Sequence, residues 1–235
     1  VKVDIRKLPT YFINLEKDVD KYTSAISLLQ YLEFDNVNRV DAIEAGHGCE
    51  KSHHKVLSDK SIPTPCLVLE DDILFTGNTK FELDVPDDAD AIYIGASQWG
   101  RFLNFSGPFV HYKKIDDDLV RVYNMMTTHA IIYLTDEYRN FVSRVANYHG
   151  NEHPSKFDIG IAETQKYFNV YALDNPIFKQ GNYNRRSTGI SISEVGMDKE
   201  AADKFYKEKV FKLNELQGIP DKAGNCSHYS PITLL

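Results

Sequence analysis

Cys66-Leu67-Val68-Leu69-Glu70-Asp71-Asp72 is the stretch on which the fold turns. Four apolar residues run without polar alternation into three adjacent carboxylates, with no basic residue among them. An apolar run this short, preceded by Pro63 and Pro65 and followed by charges, reads as a strand buried on both faces. Upstream, Tyr11-Phe12-Ile13-Asn14-Leu15 reads the same way, and Val37 to Val40 as a further strand. Between them Val19, Tyr22, Ile26, Leu29 and Leu32 recur at helical spacing, and Cys49 to Leu57 forms a helix opened by Gly46 and Gly48. A β-α-β-α-β start with doubly apolar strands predicts an α/β fold, its sheet mostly parallel with helices on both faces.

Downstream the pattern is less regular. Ala91 to Ile94 and His129 to Leu134 read as strands, residues 100–118 as a hairpin or excursion, and Thr135 to about Tyr148 as a helix. Phe157 to Phe168 reads as helix and Val170 to Leu173 as a late strand. After Gln180 the polar stretch Gly181 to Gly196, with Arg185-Arg186, suggests a mobile loop. Lys199 to Leu216 is a charged amphipathic helix, and Gly218 onward a tail. There is no internal repeat and no second core. The expectation is one domain over residues 1–198 with a helix and tail appended over 199–235.

Composition narrows the function. The 235 residues carry 27 basic against 34 acidic side chains, a net charge of −7. That balance disfavours nucleic acid or an anionic membrane as partner. No apolar run approaches the roughly 18 residues of a membrane span, and VKVDIRKLPT lacks the apolar core of a secretory signal. Cys49, Cys66 and Cys226 contain no CxxC pair, which argues against a disulfide framework and a structural zinc site. A reducing, cytoplasmic setting is the simpler expectation.

The carboxylate run carries the strongest chemical signal. Two unit charges about 4 Å apart repel by roughly 4 kcal/mol at an effective dielectric near 20. Glu70-Asp71-Asp72 is therefore either a solvated acidic turn or a site for a hard divalent cation, Mg2+ or Mn2+. Gly46-His47-Gly48 precedes a helix, but Lys51 fills the third glycine position of a dinucleotide fingerprint, and no P-loop occurs. Those glycines cap the helix or present its N-terminus to phosphate. His53-His54, His129 and His153 lack zincin spacing, and Cys49 has no activating partner nearby in sequence. Asp158 sits just inside a predicted helix start, as a cap or as a carboxylate able to take a proton from a hydroxyl.

Taken in order, these segments resemble glycosyltransferase family 25, which includes lipooligosaccharide and collagen galactosyltransferases. Phe12-Ile13-Asn14-Leu15-Glu16-Lys17-Asp18-Val19-Asp20-Lys21 resembles the family's opening strand and helix, with Lys21 where arginine is usual. Gly48-Cys49-Glu50-Lys51-Ser52-His53 is similar to G-C-x-x-S-H, and Leu69-Glu70-Asp71-Asp72 to L-E-D-D. Thr127-Thr128-His129-Ala130 is similar to G-T-H-A, with Thr127 in place of glycine, and Phe157-Asp158 stands where P-[IV]-D is common. Asn175-Pro176-Ile177-Phe178-Lys179-Gln180 resembles the closing N-P-x-x-x-Q.

The resemblance implies a GT-A-type single domain with a Rossmann-like nucleotide-binding half. It implies metal-dependent, inverting transfer of a hexose from a nucleoside diphosphate sugar, a UDP-sugar foremost, to a hydroxyl of a glycan or glycoconjugate acceptor. Asp72, with Glu70, would hold Mn2+ or Mg2+. Glu70 and Asp71 would face the ribose and metal-bound water, while Ile13, Asn14 and Lys21 would border the base and ribose. Ser52, His53, Thr128, His129 and Gln180 would line the donor pocket, and Asp158 would be the base. Arg185 and Arg186 would close over the diphosphate. Two rivals differ in kind. A sugar nucleotidyltransferase needs a glycine-rich basic loop after the first strand, where this chain has Asn14-Leu15-Glu16-Lys17-Asp18. A non-catalytic sugar-nucleotide or glycan-binding module of the same fold would bind without turnover.

Overall fold

The apolar runs become strands in the order their spacing dictates. The computed structural model describes residues 1–204 apart from 45, 103–104, 152–156 and 182–188. Strand β1 (Lys2–Asp4) precedes β2 (Thr10–Asn14), α1 (Val19–Tyr31), β3 (Val37–Asp41), α2 (Gly48–Leu57) and β4 (Cys66–Glu70). Then follow β5 (Ile73–Phe75), β6 (Glu82–Asp84), β7 (Ala91–Tyr93), β8 (Gly100–Phe102), β9 (Phe105–Gly107), β10 (His111–Lys114) and β11 (Leu119–Val122). The remainder is β12 (Ala130–Tyr133), α3 (Asp136–Asn151), α4 (Phe157–Thr164), β13 (Val170–Leu173), β14 (Phe178–Gln180), α5 (Ile192–Val195) and β15 (Met197–Asp198).

Nine strands form one sheet in the order β15-β10-β11-β13-β7-β12-β4-β2-β3. The pairs β2–β3, β2–β4, β7–β13 and β10–β15 are parallel. The pairs β4–β12, β7–β12, β10–β11 and β11–β13 are antiparallel. The sheet is thus evenly mixed, which corrects the expectation of a mostly parallel one. Strand β12 shows why: it runs antiparallel to both neighbours, yet all four of its residues are buried. Helices cover both faces of the sheet, so burial on two sides does not report direction.

Alternation along β4 divides the core. Leu67 and Leu69 join Ala25 and Leu29 of α1 on one face; Val68 joins Val56, Phe141, Val142, Phe157 and Ile161 of α2, α3 and α4 on the other. Helices therefore lie on both faces, as the sequence predicts. His54 Nδ1 lies 3.0 Å from the Ser143 hydroxyl, linking α2 to α3.

Two elements end differently from their sequence reading. Helix α4 stops at Thr164 and passes into a 3-10 turn, Gln165–Tyr167. The buried Gln165 side chain accepts from Met125 N at 2.7 Å and donates to Met125 O at 2.8 Å, fixing the chain there. Within Gly181–Gly196, α5 is anchored to the sheet: Asp174 Oδ1 accepts from Ser193 N at 2.7 Å and from the Ser191 hydroxyl at 2.9 Å. Residues 199–204 are helical, as expected for the appended helix, and Ala202 is fully buried. The rest of that helix and the tail lie outside the described residues. Among the described residues no helix is long and apolar enough to cross a membrane.

Candidate functional site at the carboxyl edge of the parallel strands

The order β4-β2-β3 creates a crevice. From β2 the chain leaves through α1 towards β3, whereas from β4 it leaves to the opposite side of the sheet. Ligands of open α/β sheets settle where neighbouring connections diverge in this way, outside the strands' carboxyl ends. Asn14 ends β2, and Glu70 ends β4 with Asp71 and Asp72 following. The antiparallel pair β5–β14 sets Gln180 opposite Ile73, and Gly181 N donates to Asp72 O at 2.6 Å. The closing motif thereby reaches the acidic run.

Glu70 is the most tightly held of the three carboxylates. Its Oε1 accepts from His53 Nε2 at 3.0 Å and from the Thr128 hydroxyl at 2.5 Å, while Oε2 accepts from Gln180 Nε2 at 3.4 Å. Burial opposes ionisation of this carboxyl. The His53 and Thr128 hydrogen bonds and the charge of His53 outweigh it, holding the pKa at about 2.

Asp71 belongs to a second network. Its Oδ2 accepts from Asn14 Nδ2 at 2.9 Å, and its Oδ1 lies 3.3 Å from the Lys21 ammonium. Arg39 of β3 donates from Nε to Asn14 Oδ1 at 3.1 Å, pairs with Asp41 at 3.2 Å and lies 5.3 Å from the Tyr22 ring centre. A guanidinium can only donate. Arg39 therefore fixes which end of the Asn14 amide is oxygen, and so which end faces Asp71. A double-mutant cycle of Arg39→Met and Asn14→Leu, read by chemical denaturation, is expected to give a coupling of about 1–2 kcal/mol. Additive effects would show that Arg39 does not orient Asn14.

Asp72 is the strained member. Its Oδ1 is buried without a hydrogen-bond partner. Burial first, then the charges of Glu70 and Asp71, push its pKa up to about 6 against the opposing pull of Lys21. An orphaned, destabilised carboxylate oxygen beside two further carboxylates suits a hard divalent cation. Glu70 and Asp71 have partners on both oxygens, whereas Asp72 Oδ1 has none.

Helix α2 supplies the other wall, and the residues before it explain its sequence. A Cβ on Gly48 would lie 2.0 Å from Ile43 O, so only glycine allows this approach. Ser52 Oγ donates to Gly48 O at 2.5 Å and accepts from Ile43 N at 2.8 Å. The glycine and serine lock the incoming chain onto the first helical turn, leaving Cys49 and His53 on the crevice side next to Glu70. Cys49 is an exposed residue. Desolvation, then the charges of Glu70, Glu50, Asp158 and Asp72, push the thiol well above its ordinary range. The Phe157 ring packs 5.0 Å from His53, so the first turn of α4 abuts the residue that holds Glu70. Asp158 Oδ1 accepts from Ile159 N at 2.9 Å.

The remaining expected site residues lie elsewhere or face inward. The Ile13 side chain is buried in the core beside Val68, and does not border the crevice. His129 is fully buried; its Nδ1 lies 2.5 Å from the Thr127 hydroxyl, and its ring fills the space above Gly95, where a Cβ would lie 2.1 Å from Nε2. Burial lowers its pKa, and the ring is packed inside the protein. Ser52 is spent on the helix entry. Arg185, Arg186 and His153 lie outside the described residues. Arg39 escaped the sequence reading; its signal was an arginine in a strand two residues before the strand's carboxyl end.

No family model matches this chain, and no curated protein matches it. The functional reading rests on the site's own chemistry and on the ordered resemblance of its motifs.

Proposed function

We propose that the chain is a glycosyltransferase of GT-A type that transfers a hexose from a nucleoside diphosphate sugar, a UDP-sugar foremost, to a hydroxyl of a glycan or glycoconjugate. The observation carrying this reading is the buried, unpartnered Oδ1 of Asp72 at the divergence of β2 and β4, next to Asp71, which Asn14 and Lys21 hold, and to Ile73, opposite which Gln180 lies. Three parallel strands joined by helices support assigning the nucleotide to this half.

Asp72, with Asp71 beside it, would hold Mn2+ or Mg2+, whose charge when bound would stabilise the departing diphosphate. Asn14 and Lys21, at the junction of β2 and α1, would meet the base and ribose. Glu70 orders the site by fixing Thr128, Gln180 and His53. Inversion requires one displacement: the acceptor oxygen bonds to the anomeric carbon as the bond to the diphosphate oxygen breaks. The hydroxyl proton passes to a single base, for which Asp158 at the start of α4 is the candidate.

A thermal-shift screen of nucleoside diphosphate sugars with and without Mn2+ tests the proposal. At about 100 times its Kd a donor adds roughly 2.7 kcal/mol, which for a chain of this size raises Tm by about 5–10 °C. The shift is expected for a UDP-sugar and only with the metal. No shift with any donor overturns the reading. A shift without hydrolysis or transfer would return the non-catalytic binding module.

A further inference from the structure

We propose that Cys49, His53 and Glu70 form a binding site for a thiophilic divalent cation, Zn2+ foremost, with three protein ligands and one position open to solvent. The site goes beyond glycosyl transfer and takes no ligand from Asp72.

Spacing supplies the first argument. Cys49 and His53 stand four residues apart on α2, hence on one helix face, and that face meets the end of β4. One ligand atom from each of Cys49, His53 and Glu70 lies within 4.8 Å of the others. Around a tetrahedral zinc, bond lengths of about 2.0–2.1 Å to nitrogen and oxygen set those two atoms about 3.3 Å apart. A bond of about 2.3 Å to sulfur sets sulfur about 3.6 Å from nitrogen. His53 Nε2 and Glu70 Oε1 are already 3.0 Å apart. Their hydrogen bond and a bridging metal are alternatives: the cation takes the place of the shared proton. Cys49 closes the third side by turning a solvent-accessible side chain.

The surroundings supply the second. His53 is 1% exposed, and its Nδ1 has no hydrogen-bond partner. Its Nε2, turned to Glu70, is the nitrogen a metal would take once the shared proton leaves. Around the ligands lies the support found outside metal sites: Thr128 and Gln180 donate to the two oxygens of Glu70, and Phe157 packs on the imidazole. The carboxylates of Glu50, Asp72 and Asp158 add negative potential that favours a cation. Thiolate with imidazole selects zinc over magnesium or manganese. Loading releases two protons to solvent, that of the Cys49 thiol and the one shared by His53 and Glu70, as sulfur–metal and nitrogen–metal bonds replace the S–H and N–H bonds.

Titration of the full chain with Co2+ as probe decides the matter, because cobalt bound through sulfur shows an intense near-ultraviolet charge-transfer band. The wild type is expected to show that band at one equivalent and to lose it on addition of Zn2+. Cys49→Ser, a change at an accessible position, is expected to lose the band and weaken Zn2+ binding at least about tenfold. Asp72→Asn is expected to keep it. Absence of the band in the wild type overturns the site. So does its persistence in Cys49→Ser, which would assign the sulfur to Cys66 or Cys226. Metal binding without sulfur character also overturns it.

Discussion

Replacing Asp72 with alanine is expected to abolish Mn2+-dependent donor binding while making the metal-free protein more stable. The buried Oδ1 has no hydrogen-bond partner to lose, and burial with the adjacent Glu70 and Asp71 charges disfavours the ionised carboxylate. The sign follows from linkage. A carboxyl whose pKa is raised in the folded state destabilises the fold only where it is ionised. The gain from removing it is therefore full above the folded value of about 6 and absent below the ordinary value of 3.8. At a half-buried position, after allowance for solvent screening, it amounts to about 1–2 kcal/mol. Denaturation in the presence of a chelator at pH 7.5 and pH 3.5 measures it. Calorimetric titration of the donor with and without Mn2+ measures the loss of function. An unchanged metal dependence would remove Asp72 as the ligand. Stability gained at the expense of binding is the expected behaviour of a residue kept for its chemistry.

Much of this site was legible as sequence because its parts are local. The run from Cys66 to Asp72 encodes a buried strand and the acid cluster at its carboxyl end, and both appear where the pattern puts them. Apolar burial could not show that β12 lies between β4 and β7 and runs against both, since a covered strand is apolar whichever way it points. Gln180 reaches Glu70, 110 positions earlier, only through the antiparallel pairing of β5 with β14, and the pairing of three-residue strands leaves almost no periodic trace. Arg39 and Asn14 show the same limit. Their hydrogen bond depends on the register of β2 against β3, which places Phe12 beside Arg39 and Asn14 beside Asp41. Cys49 and His53 share a face of α2, but Glu70 joins them only when β4 is brought against that helix. His129 erred in the opposite direction. Its place in a motif suggested a pocket, whereas its burial above Gly95 makes it part of the packing.

Exchanging Asp158 for asparagine should separate catalysis from binding. Asparagine keeps a side-chain oxygen able to accept from Ile159 N, as Asp158 Oδ1 does at 2.9 Å, so the first turn of α4 survives. What it lacks is the capacity to take up the acceptor proton. Positioned bases contribute about 10²–10⁴-fold to proton-transfer steps, so transfer at saturating donor should fall within that range. Donor affinity should stay within about twofold, because Asp158 stands on the α4 side of the crevice, and Asn14, Lys21 and Asp71 hold the other. A second signature is the pH profile: the limb of the rate that reports ionisation of the base should flatten in the variant. A transfer rate near wild type would remove Asp158 as base and leave it as the cap of α4. Loss of donor affinity with the rate unchanged would move it into the donor pocket. The two variants differ in kind: Asp72→Ala loses the metal-dependent donor complex, whereas Asp158→Asn forms it and fails to turn it over.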